Sequence, residues 1–156
     1  LHTNDAAGAV PRLVTMGVKP FTIAPALNAV IAQRLVRRIC QACAKPAELA
    51  APMLEKVQKA LSEVPKSAGV EVPAKLEFYH SAGCDACGGL GYKGRAGVYE
   101  VIEVNDALRE LILKEASIID IKKLAHENGT MTMLQDGLLK ALQKITDVEE
   151  VFRVVG

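Results

Sequence analysis

The sequence predicts an α+β chain, mostly helical, in which a four-cysteine subdomain with a short β-pair precedes a C-terminal helical bundle. Three observations lead there. Two C-x2-C pairs, Cys40-Gln-Ala-Cys43 and Cys84-Asp-Ala-Cys87, leave no cysteine over. Two short segments, Lys75 to Tyr79 and Val98 to Val104, have the alternation or the β-branched content of strands. From Asp106 onward, apolar residues recur at helical spacing behind successive capping signatures.

The opening residues mix Gly8, Pro11, Gly17, Pro20 and Pro25 with short apolar pieces such as Leu13-Val14, which predicts one short helix from about Ala6 to Met16 and then a loop. Ala26 to Ile39 holds neither Gly nor Pro, and Leu27, Ile31, Leu35 and Ile39 recur every four residues. That spacing predicts a helix with Arg34, Arg37 and Arg38 on its other sides, at least two of them solvated. Cys40 follows at its end. Between the cysteine pairs, Pro52 suits a first helical position and Leu54, Val57, Leu61 and Val64 line one face, so this insert carries one amphipathic helix, stopped by the linker Pro65 to Gly69. The exposed insert, Ala47 to Val72, reads as a solvated helix sooner than a docking surface.

The two strand segments flank the second cysteine pair and are expected to pair with each other. A helix then runs from about Asp106 to Glu115 with Leu108, Leu111 and Ile112 inward. Ser117-Ile-Ile-Asp120, Thr132-Met-Leu-Gln135 and Thr146-Asp-Val-Glu149 each resemble the capping box, in which a hydroxyl and an acidic or amide side chain satisfy free backbone amides reciprocally. Behind them run Ile121, Leu124 and Ala125; Leu138, Leu142 and Ile145; and Val148, Val151, Phe152 and Val155.

The 156 residues suit one compact domain, or one domain with a remnant of another. Apolar residues make up 50% and aromatics 4%, with no Trp, so the core is aliphatic. A net charge of +1 gives no field to attract a polyanion, which argues against nucleic acid as partner. The longest apolar stretch, Ala26 to Ala32, is interrupted by Asn28 and is too short for a bilayer, and no basic-then-apolar leader opens the chain. A soluble chain that is not exported is expected. Because residue 1 is Leu and not Met, it is expected to begin partway into a longer natural protein.

Each C-x2-C pair can present two thiolates from a tight turn, and four sulfurs make the tetrahedral shell that zinc accepts. Cys40, Cys43, Cys84 and Cys87 are therefore expected to hold one zinc ion. Gly88, Gly89, Gly91 and Gly94 let the backbone fold closely and offer amides to the sulfurs. A closed four-sulfur shell leaves no position for water, so the ion is structural, and without it residues 40 to 97 are expected to lose order. Other readings fit less well: disulfides suit an oxidising compartment, a thioredoxin-like pair occurs once, at the start of a helix, and iron–sulfur clusters use other common spacings.

Three strings carry a resemblance: Leu1-His2-Thr3-Asn4-Asp5-Ala6-Ala7-Gly8-Ala9, Ala32-Gln33-Arg34-Leu35-Val36-Arg37-Arg38-Ile39-Cys40, and Gly91-Tyr92-Lys93-Gly94-Arg95-Ala96-Gly97-Val98-Tyr99-Glu100. With Asp136-Gly137-Leu138, their order and spacing resemble the hexameric assembly ATPases of type II secretion and type IV pilus extension, from residue 1 to about Val155. The resemblance implies three regions: residues 1–39 as the C-terminal end of a RecA-like α/β ATPase core, 40–97 as the tetracysteine zinc subdomain, and 98–156 as a strand with the helical bundle. It implies that His2, in the family's His box, approaches the nucleotide phosphates as a catalytic residue, and that Arg34, in the Gln-Arg-Leu segment, helps bind the nucleotide. ATP and Mg are then cofactors of the full-length protein. The partners implied are further copies in a hexameric ring, an inner-membrane platform, and cytoplasmic secretion or pilus proteins, at a cytoplasmic location peripheral to the inner membrane. By their residue types alone, His2 is one terminal histidine and Arg34 part of a solvated face.

The family's retraction motors lack the tetracysteine insert, so the resemblance is to the assembly and export branch. Leu90 stands where Thr is usual, and Cys87-Gly-Gly-Leu-Gly91 consequently also fits a zinc repeat of heat-shock chaperones, a pattern that needs several repeats. No G-x-x-x-x-G-K-[ST] loop occurs, so no ATP hydrolysis is expected from this chain alone. A self-standing, zinc-stapled module for protein interaction is the second functional class.

Overall fold

In a computed structural model describing all of residues 1–156, seven α-helices and four strands follow one another. Helices α1 (Ala9–Thr15) and α2 (Pro20–Ala26) lead into β1 (Ala29–Ile39), β2 (Ala44–Ala47), α3 (Ala51–Ser62), β3 (Phe78–Ser81) and β4 (Tyr92–Glu103). Helices α4 (Asp106–Leu113), α5 (Ile118–Glu127), α6 (Met133–Leu142) and α7 (Val148–Val155) complete the chain. The fold class is mixed α+β, as expected, but the strands are more numerous than the sequence suggested. Contacts gather the chain into two units: Leu1–Gln33, Pro65–Gly69 and Glu100–Thr132 form one, and Arg34–Val64, Val70–Tyr99 and Met133–Gly156 the other.

In the first unit α2 packs on α1 and α4, and α4 on α5. Ala6, Val10, Ile23, Ile102, Leu108, Ile112 and Ile121 fill its core. Helix α2 stands where a loop was expected. Its Pro20 occupies the first helical turn, where the missing N–H costs nothing, so a proline that looked like a breaker is a start. Ser117 caps α5 with the predicted capping box: its Oγ accepts from Asp120 N–H while Asp120 accepts from Ser117 N–H.

In the second unit α6 packs on α3, α7 and β3. Val57 and Leu61 of α3 are buried, as the amphipathic pattern predicted, together with Val36, Val98, Leu138, Val148 and Val151. Among the C-terminal helices, α4 and α5 fall in the first unit and α6 and α7 in the second.

Of the predicted helix over Ala26 to Ile39, Ala26 ends α2 and Ala29–Ile39 form a strand. A spacing of four is even, so it places residues on one face of a strand as well as on one side of a helix. Val30, Ile31, Val36 and Ile39 decide it, because β-branched side chains fit a pleated surface better than a helix. Ile31 and Leu35, expected inward, are exposed, whereas Ala32, Val36 and Ile39 are buried. The expected pairing of the strand segments is also replaced. β4 pairs with β1, antiparallel, since Val104 N–H donates to Asn28 O at 2.9 Å at one end and Cys40 N–H donates to Gly91 O at 2.8 Å at the other. β3 begins at Phe78, three residues later than expected, and pairs antiparallel with β2 in the register Ala44↔Ser81 to Ala47↔Phe78. Pro46 is tolerated in β2 because a two-stranded sheet leaves an edge that needs no donor.

Candidate metal centre

Strand pairing builds this site. The first knuckle starts where β1 ends, with Cys43 N–H closing on Cys40 O at 3.2 Å. In the second, Cys84 is extended and a single 3-10 turn, Asp85–Cys87, swings back so that Cys87 N–H reaches Cys84 O at 3.1 Å. Gly91 joins the two. Its carbonyl accepts from Cys40 N–H at 2.8 Å and its N–H donates to Cys87 Sγ at 3.2 Å. The residue has φ +75°, and a Cβ there would stand 2.5 Å from Ser81 O, so only glycine brings these backbones together. Ser81 Oγ in turn donates to Cys40 O at 3.2 Å.

All four cysteines are free thiols whose sulfurs lie within 4.8 Å of one another. Cys40 Sγ is 3.9 Å from Cys84 Sγ, Cys43 Sγ 4.0 Å from Cys87 Sγ, and Cys84 Sγ 3.8 Å from Cys87 Sγ. Metal–sulfur bonds of about 2.3 Å in a tetrahedron put the sulfurs about 3.8 Å apart, so the set fits one ion with little movement. The thiols differ in acidity. Hydrogen bonding with Cys43, then burial, pushes the Cys84 thiol up to about 11. At Cys87 burial works against ionisation, but the amides of Cys84 and Gly91 outweigh it and bring the thiol down to about 6. The Cys84 and Gly91 amides thus favour the thiolate at Cys87, the form that binds a cation.

The first knuckle is tied to the loop ahead of α7: Ile39 N–H donates to Ile145 O at 3.0 Å and Gln41 Nε2 to Lys144 O at 2.6 Å. There a buried carboxylate gathers charges. Glu150, 1% exposed, accepts from Arg37 N–H at 2.9 Å, from the Arg37 guanidinium at 2.6 Å, and twice from Arg153 at 2.7 Å. Burial alone would raise its pKa, yet the Arg153 and Arg37 hydrogen bonds hold it down at about 2. Arg37 also lies 4.0 Å over the ring of Tyr92, whose hydroxyl donates to Asp147 at 2.6 Å. Arg37 is therefore no solvated bystander.

A profile of the family described as "Type II/IV secretion system protein" matches residues 1–153. The chain belongs to that family. Among its relatives, the "Type IV pilus assembly ATPase PilB" of Thermus thermophilus is 42% identical over 97% of this chain and 16% of its own length. The "Type II secretion system ATPase E" of Vibrio cholerae is 43% identical over 99% of this chain and 28% of its own length. The PilB of Myxococcus xanthus is 41% identical over 97% of the chain and 25% of its own length. The chain thus spans between 16% and 28% of the length of these type II/IV secretion system proteins. No helix in it is long and apolar enough to cross a membrane.

Of the residues singled out in this family member, the structure brings only the four cysteines together. His2 is exposed in the N-terminal segment of the first unit, and Arg34 is exposed on β1 within the second. One expected residue gains a specific role, and two more matter that no motif marks. Gly91 is one of the four glycines expected to offer amides to the sulfurs, and its N–H does so at Cys87 Sγ. Glu150 stands just past the Thr146-Asp-Val-Glu149 cap pattern and belongs to no motif. Glu100 sits at an inward position of β4 between Val98 and Ile102, and that break in an apolar alternation was the available signal.

Proposed function

We propose that this chain is the C-terminal part of a hexameric traffic ATPase that powers pilin or pseudopilin assembly from the cytoplasmic side of the inner membrane. In this reading its N-terminal stretch is the end of a RecA-like core. The observation that carries it is a closed tetrathiolate set within a chain whose whole length is similar to ATPases of pilus assembly and type II secretion. Zinc is the proposed occupant. Sulfurs within 4.8 Å of one another leave a central point at most about 3 Å from each, which suits one ion and not a multi-iron cluster. A bound zinc with four sulfur ligands supplies a cross-link and no catalysis.

The chemistry falls to other residues. His2 approaches the nucleotide phosphates and Arg34 assists in holding the nucleotide, with ATP and Mg supplied to a site completed by a P-loop that these residues do not contain. The ring's other subunits, the inner-membrane platform and cytoplasmic secretion or pilus proteins are the partners. The test pairs metal analysis with hydrolysis. One zinc per chain with four thiols protected from titration is expected, together with phosphate release no greater than the buffer blank. Less than half an equivalent of zinc removes the metal assignment. Phosphate release by this chain that is abolished in His2→Ala removes the division of labour between it and a P-loop elsewhere.

A further inference from the structure

We infer that Glu100 is a positioning residue for the segment bearing His2, and through it for nucleotide hydrolysis, which rests on the ATPase reading above. Strand alternation puts residue 100 inward between Val98, 0% exposed, and Ile102, 3% exposed, where an aliphatic side chain would pack without cost. The position holds a carboxylate that is 7% exposed instead. Burial disfavours its charged form and pushes its pKa up, and no lysine or arginine bonds to it directly: Lys122 is engaged with Asp5 at 2.6 Å. A buried carboxylate without an ion-pair partner is unfavourable for stability, so packing does not explain it.

Its contacts point to another role. Glu100 Oε1 accepts from Ala6 N–H at 2.9 Å, and the Ala7 amide also favours its charged form. Ala6 and Ala7 are each 1% exposed, and Asp5 Oδ1 accepts from Gly8 N–H at 2.9 Å while Oδ2 takes Lys122. Residues 5–8 are thereby pinned by Glu100 and by the Asp5–Lys122 pair, both within the first unit. His2, just upstream, remains exposed. An anchored backbone beneath an exposed side chain is what a group facing a phosphate requires, because productive geometry tolerates only about 0.5 Å of error.

The experiment reads anchoring and hydrolysis separately, using Glu100→Leu, Glu100→Gln and Glu100→Asp. Gln keeps an acceptor oxygen at the same reach, and Asp keeps the charge while withdrawing it by one methylene. Amide exchange on this chain should rise tenfold or more at Ala6 and Ala7 in E100L and E100D, and stay within threefold of wild type in E100Q. In the longer polypeptide that joins this segment to a P-loop, E100L and E100D should lower kcat tenfold or more with KM for ATP within threefold, and E100Q should restore most of kcat. Unchanged exchange overturns the proposal, as does faster exchange with kcat within twofold of wild type, or a loss of kcat that only follows a fall in melting temperature. Should E100L not fold, E100D gives the same reading. Absence of ATP hydrolysis in the wild-type long polypeptide fails the ATPase reading and the catalytic half of this proposal, while the exchange data still decide the anchor.

Discussion

Replacing Gly91 with alanine tests whether backbone geometry, and not the four cysteines alone, sets metal affinity. Three costs add at that position. An L residue at φ +75° costs about 1–2 kcal/mol. The new Cβ would lie 2.5 Å from Ser81 O, so the backbone must retreat by about 0.9 Å to reach the ordinary contact of 3.4 Å. That retreat opens the bonds from Gly91 N–H to Cys87 Sγ at 3.2 Å and from Cys40 N–H to Gly91 O at 2.8 Å. A bond to a charged sulfur contributes about 1.5–3 kcal/mol and a neutral amide bond about 1 kcal/mol. The sum is about 3.5–6 kcal/mol, roughly several hundredfold or more in affinity where binding and folding are coupled. Gly88 provides the control: its φ is +61° but nothing stands within 4 Å of a Cβ there. G88A should therefore incur only the conformational cost, roughly tenfold in affinity. Competition with a chromogenic zinc chelator at pH 7 under reducing conditions measures both. Equal weakening by the two substitutions, or less than about tenfold for G91A, would refute the role given to the Gly91 contacts.

Two further outcomes follow from the same unit. Glu150 is held at about 2 against an ordinary 4.5; a depressed carboxylate stabilises fully above its unfolded value and loses that contribution as pH falls from 4.5 toward 2. The contribution at neutral pH is on the order of 3 kcal/mol, so E150Q should melt roughly 6–12 °C lower at pH 7, with the gap closing toward pH 2; a gap independent of pH contradicts the assignment. Stripping metal with a chelator under reducing conditions should speed amide exchange across residues 40–97 while α4 and α5 keep their protection, and uniform loss through both units would show that the ion is not a local staple.

The helices were legible where two independent signals agreed. For α3 and α5 an apolar face coincided with a start residue, Pro52 or Ser117, and their buried residues, like those of α4, are among those the spacing picked. Strands were read poorly for a physical reason. β1 carries a four-residue repeat that either period can satisfy, and what commits it is a partner, β4, more than fifty residues downstream. β2 is Ala-Lys-Pro-Ala, with no strand propensity of its own; it exists because β3 offers it a ladder. The cysteines were legible from spacing, but their meeting depends on the Cys40–Gly91 register, which no local pattern in either segment specifies.

The capping signature at α7 shows how a small misreading hides a structural residue. Residues 146–150, Thr-Asp-Val-Glu-Glu, contain two overlapping cap registers, Thr146 with Glu149 and Asp147 with Glu150. The structure takes the second: Asp147 Oδ1 accepts from Glu150 N–H at 2.8 Å, while Thr146, freed from capping, donates to Arg37 O at 2.8 Å. Helix propensity does not separate the two, since Thr and Asp both cap. Tertiary charge does. Only a helix started at Val148 turns the third residue, Glu150, toward Arg37 on β1, where both its oxygens are bonded, and leaves Glu149 in solvent. The same choice frees Asp147 Oδ2 for the Tyr92 hydroxyl at the start of β4. One residue of cap register thus ties α7 to the strand that leads into Cys40 and to the strand that begins beside Gly91, so this last helix is part of what holds the two knuckles in register.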